Sequence, residues 1–96
     1  MWYKNGREVF LSQIQDRKGR SKETEFSIYL NRCGTLYYDE EVPYCTFFCH
    51  DPVGGFTTSE PVDFIYEKDS KSGILLIKVV TQNSIYTFDM GETRLK

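Results

Sequence analysis

Ile74-Leu75-Leu76-Ile77-Lys78-Val79-Val80 decides the fold class. The run is short, aliphatic and rich in β-branched residues, with Gly73 before it and Thr81-Gln82-Asn83-Ser84 after it. This is the pattern of a strand buried on both faces. On either side, Val62–Glu67 and Ser84–Met90 alternate apolar and polar residues like half-buried strands. Lys68–Gly73 and Gln82-Asn83 supply the turns between them. The three segments predict a C-terminal antiparallel meander as the core, to which the remaining strands are added.

Upstream, Phe56–Pro61 is polar apart from its Phe and reads as loop, and Asp51-Pro52-Val53-Gly54-Gly55 reads as a turn. Tyr44–His50 has the character of a strand, Asp39–Pro43 that of a solvated connection, and Thr35–Tyr38 that of a short strand after a turn at Asn31–Gly34. Glu23–Leu30 alternates with Phe26, Ile28 and Leu30 on one face, which predicts a strand whose apolar face meets Phe10 and Ile14. Arg7–Asp16 is a strand with a bulge or two-sided burial near Phe10, because Val9-Phe10-Leu11 breaks the alternation. Asn5-Gly6 has the composition of a type I′ turn and predicts a hairpin joining Trp2–Lys4 to that strand. Gly91–Lys96 reads as a frayed tail.

Composition points the same way. The chain has no alanine, the best helix former, and seven residues each of Tyr and Phe. Apolar residues nowhere recur at helical spacing over three turns, so any helix is a single turn. The expectation is an all-β fold: one small antiparallel domain over residues 1–96, with about seven or eight strands forming a compact barrel or two packed sheets. Unpaired edges at Trp2–Lys4 or Thr35–Tyr38 would allow pairing between copies.

A formal net charge of −2 marks neither a dedicated nucleic-acid binder nor an acidic mimic. The N-terminal Met-Trp-Tyr-Lys-Asn-Gly-Arg-Glu lacks the apolar core of a signal peptide, and no stretch is long enough to span a bilayer as a helix. Three cysteines are an odd number for a disulfide framework, so the reading is of a cytoplasmic protein with free thiols.

Three groups of residues are candidates for chemistry. Tyr37-Tyr38-Asp39-Glu40-Glu41-Val42-Pro43-Tyr44, with Phe56 in the later loop, predicts an aromatic and acidic protein-recognition patch, since Tyr combines apolar area with a hydrogen-bonding tip. Alternation buries one of the neighbouring Tyr37 and Tyr38 and exposes the other. Arg17, Lys18, Arg20 and Lys22 place four cations on one loop, and with Tyr29 and the nearby tyrosines they form an alternative phosphate-gripping and base-stacking surface. Against this stands the ordinary use of Gly and basic residues at hairpin tips. Cys33, Cys45, Cys49 and His50 are a third candidate, a Cys₃His zinc site. Its C-x₃-C spacing is wrong for a knuckle, and on a strand Cys45 and Cys49 face one way while His50 faces the other.

No nucleophile elbow, phosphate loop, zinc-protease helix or deaminase signature is present. Cys49-His50-Asp51 does not form a triad either, because adjacent residues of an extended chain cannot turn three side chains to one point. The expectation is therefore a non-enzymatic module without a cofactor that binds a larger partner protein. Its role would be that of an inhibitor or adaptor, for instance a phage or mobile-element accessory protein acting against host defence.

Overall fold

A computed structural model describes residues 3–38, 41, 44–50, 54–68, 70–71 and 73–90, with the side chains of residues 3–5 left aside. The expectations for Trp2, Asp39, Glu40, Val42-Pro43, Asp51–Val53, Asp69 and Ser72 in the Lys68–Gly73 turn, and Gly91–Lys96 lie outside the described residues. The elements in chain order are β1 (Tyr3–Gln15), a 3₁₀ helix (Glu25–Tyr29), β2 (Arg32–Tyr38), β3 (Cys45–Cys49), β4 (Gly55–Thr57), β5 (Asp63–Lys68), β6 (Leu75–Val80) and β7 (Ile85–Asp89). All strand pairs are antiparallel and form one sheet in the order β4-β3-β2-β1-β7-β6-β5.

The C-terminal meander forms as its sequence requires: Val79 pairs with both Phe64 and Tyr86, and Ile77 with Tyr66 and Phe88. It supplies Ile77, Val79, Tyr86 and Phe88 to the core. Burial on both faces of the 74–80 run is complete only at Val79-Val80, while Leu75 is half exposed. The strand at the middle of the sheet is β1. Its first part, Tyr3–Leu11, pairs with β2, and its second, Phe10–Gln15, pairs with β7, with overlap only at Phe10 and Leu11. The sheet therefore turns a corner along β1 and folds one half over the other. Ring contacts close the fold: Phe47 to Phe88, Phe56 to Tyr86, and Tyr38 to Phe64.

Four expectations change. Asn5-Gly6 makes no hairpin; β1 runs through it, and three residues of β1 stand opposite one of β2 between the pairs Tyr3–Tyr38 and Arg7–Leu36. Gly6, at φ 84°, absorbs this bulge. The methyl of Thr35 and the ring of Tyr37 occupy the space a Cβ would need, at 2.5 and 2.8 Å. A second register shift falls between Leu11 and Gln13, close to the bulge expected near Phe10.

Glu23–Leu30 is not a strand. Thr24 accepts the N–H of Phe26 through its side chain, and Ser27 returns the favour to the N–H of Thr24, so a capping box starts the 3₁₀ helix there. Phe10 and Ile14 consequently pair elsewhere, with Cys33 and Asp89 and with Tyr86. Phe56 is not in a loop but at the centre of β4, opposite Phe47. Finally, Thr35–Tyr38 is no edge, because β2 lies between β1 and β3; the edge strands are β4 and β5.

Candidate functional site

Alternation on β2 and β3 builds a two-sided layer. Leu36, Cys45 and Phe47 are fully buried in the core, and Tyr38 and Cys49 are partly buried against it. The intervening residues Tyr37 and Phe48 therefore point outward, where they are 37 % and 55 % exposed. Their rings meet edge to face, 5.8 Å between centroids and 80° between planes. Tyr37 stands over the bare backbone of Gly6 on β1, and Phe48 pairs with Gly55 on β4. Two glycines thus leave both ends of the aromatic row uncrowded. Tyr44, just before β3, is also exposed.

At one side of this face Glu8, Thr35 and His50 bring β1, β2 and the end of β3 together. A Glu8 oxygen lies 2.8 Å from Nε2 of His50, and the Thr35 hydroxyl donates to the other at 3.2 Å. The same Nε2 is 3.5 Å from Thr35. Both contacts fall on the same nitrogen, whereas a triad needs the hydroxyl on one ring nitrogen and the carboxylate on the other, so the trio lacks the layout of a catalytic triad.

The predicted recognition residues separate. Tyr37 and Tyr44 share exposure with Phe48, and Glu41 is exposed as well. Tyr38 turns inward against Phe64 at 4.6 Å. Phe56, only 6 % exposed, belongs to the core: it stacks on Phe26 at 4.5 Å and touches Tyr29, Phe47 and Tyr86. Phe48 was missing from the expected set, although the alternation that sends Cys45, Phe47 and Cys49 inward already sends Phe48 out.

The basic loop is held by its own fold. Asp16 accepts the backbone N–H groups of Arg20 and Lys18, and the Arg20 side chain as well. Donation by the Arg20 backbone and its neighbours holds the Asp16 carboxyl below the usual carboxylate range. Arg17 donates to the carbonyls of Thr81 and Gln82, and Lys22 to the Asn83 carbonyl and the Ser84 hydroxyl. These two cations clamp the β6–β7 turn. Tyr29 is buried, with its hydroxyl on the Gly55 carbonyl, so it offers no stacking face. Tyr37 and Tyr38 lie at the other end of β1 from this loop.

The thiols do not converge. Among the described residues no three Cys, His, Asp or Glu side chains are placed to hold a metal ion. Cys45 is fully buried, and burial pushes its thiol up to about 12. Cys33 and Cys49 are partly buried and reduced. His50 faces Glu8 instead.

An open cleft of about 350 Å³ lies between the second part of β1 and residues 21–30. It is remote from the aromatic row. Comparison of the chain with protein-family models, curated proteins and solved structures finds no match.

Proposed function

We propose that this chain is a non-catalytic protein-binding module whose contact surface is the outer face of β2 and β3, centred on Tyr37 and Phe48 with Tyr44 beside them. The observation that carries the reading is the edge-to-face pair on the solvent side of the sheet. Large rings held rigid on strands lose little conformational entropy on binding, and exposed aromatic anchors are where interface energy concentrates. Glu8, at one side of this face, gives its surroundings acidic character. The partner is a larger protein, and the module acts on it as an inhibitor or adaptor. The free thiols favour a reducing compartment, in keeping with a cytoplasmic role. Among the described residues no helix is long and apolar enough to cross a membrane.

The test is co-purification from the native host with wild-type protein and with a Tyr37→Ala/Phe48→Ser double variant, followed by affinity measurement with the recovered partner. The reading expects a partner that the double variant loses while keeping its folded spectrum. Recovery of nucleic acid in place of protein, or a partner held equally by both forms, would refute it.

A further inference from the structure

We propose that the cleft beside β1 is a binding site for a small uncharged polyhydroxy compound, of the size and chemistry of a pyranose sugar. The cleft exists because the sheet opens there. On the side of β1 facing β2, Leu11 accepts the N–H of Asn31 at 2.7 Å and Ile14 accepts the N–H of Lys22 at 3.0 Å. Between these bonds no described strand pairs with Ser12 and Gln13 on that side, because the chain from 23 to 30 swings out into the capped 3₁₀ helix. The register shift between Leu11 and Gln13 brings both Ser12 and Gln13 to the wall of the opening. Bulges commonly re-aim side chains in this way beside functional sites.

The wall is rich in hydrogen-bonding groups with capacity left. The Gln13 amide, the Ser21 hydroxyl and the Glu23 carboxylate have no hydrogen-bond partner among the described residues. Ser27 accepts from the Thr24 N–H and keeps its own proton to donate. Ser12 donates to the Thr87 carbonyl and keeps its lone pairs. Lys22 uses two of its N–H groups on neutral acceptors and meets no carboxylate among the described residues. Lys22 and Glu23 both line the cleft and carry opposite charges, so neither a lone anion nor a lone cation is favoured by both. Hydroxyl groups, each both donor and acceptor, satisfy the mixture without either conflict. Leu30, partly exposed over the buried Ile14, adds apolar surface that suits the C–H face of a sugar ring. A volume of about 350 Å³ falls at the small end of the range for ligand pockets, roughly 300–1,000 Å³.

The experiment is titration of the ¹⁵N-labelled protein with glucose, galactose and myo-inositol, with acetate and guanidinium as charged controls, followed by amide shifts. At least one polyol should give saturable shifts at millimolar concentration, confined to Ser12, Gln13, Ser21 to Glu23 and Ser27. Gln13→Trp, at an exposed position, should fill the opening and weaken binding by at least about tenfold. Ser21→Ala, which removes only one exposed hydroxyl, should weaken it less and leave the spectrum otherwise intact. Three results would each overturn the proposal: no saturable shift with any of the polyols, shifts that persist in Gln13→Trp, or tighter saturation by acetate or guanidinium.

Discussion

Because successive side chains of a strand point to opposite faces, neighbouring aromatics here have very different costs of removal. Tyr37→Ala takes away an outward ring that meets Phe48 edge to face and the backbone of Gly6, and the expected loss of stability in urea denaturation is under about 1 kcal/mol. Phe56→Ala empties a space shared by Phe26, Tyr29, Phe47 and Tyr86, and the expected loss is about 3–5 kcal/mol. A large loss at Tyr37 would show that the outer face is structural. The same contrast holds for the thiols. Cys45 is fully buried and its thiolate is disfavoured by desolvation, so a thiol reagent at neutral pH should modify Cys33 and Cys49 in the folded protein and reach Cys45 only on unfolding. Mass spectrometry of the labelled native protein checks this. Asp16 gives the pH prediction. Its folded pKa is depressed, so its contribution is complete above the ordinary carboxylate value of 3.8 and is lost as pH falls through the lower folded value. Carbon-detected NMR titration should place its midpoint below that of a model carboxylate, and Arg17 to Arg20 amides should shift with it.

At the scale of elements, glycine decides whether the first strand is continuous. Asn-Gly favours a reversal when two strands are waiting on either side of it, but here the ladder from Arg7 to Leu11 against β2 outweighs a three-residue arm. Positive φ at Gly6 survives as a bulge rather than a turn. Gly6→Ala meets both a left-handed backbone and the Thr35 methyl, and should cost about 1–3 kcal/mol, read as a lowered Tm. An unchanged Tm would mean that the bulge relaxes without cost. The 3₁₀ helix shows a second limit of pattern reading. Phe26, Ile28 and Leu30 do alternate, yet Thr24 and Ser27 sit at the spacing of reciprocal capping, and local hydrogen bonds won. The meander over 63–89 was legible because turn signals and alternation agree there. β4 was not, since Gly55-Phe56-Thr57 carries a single apolar residue whose inward side only its pairing with Phe47 reveals. The outward aromatics followed from alternation alone, whereas the cleft could not, because it depends on where two distant segments fail to pair.

For the whole molecule, β1 is the one strand common to both halves of the sheet among the described residues, and Phe47 and Phe88 join them across the interior. Neither half has a core of its own to fall back on. Buried area is shared rather than divided, which is the condition for all-or-none unfolding in a small protein.

That shared strand also governs time. Ser12 on β1 must find Thr87 on β7 across 75 residues of chain, and the entropy of closing so long a loop is lost before any contact compensates it. Proteins dominated by such distant pairings fold on the order of milliseconds to seconds. Stopped-flow refolding should fall in that range. Substitutions that loosen the Ser12–Thr87 seam should accelerate unfolding more than they slow refolding, as expected for contacts made last. Sub-millisecond refolding would place the joining of the two halves early instead.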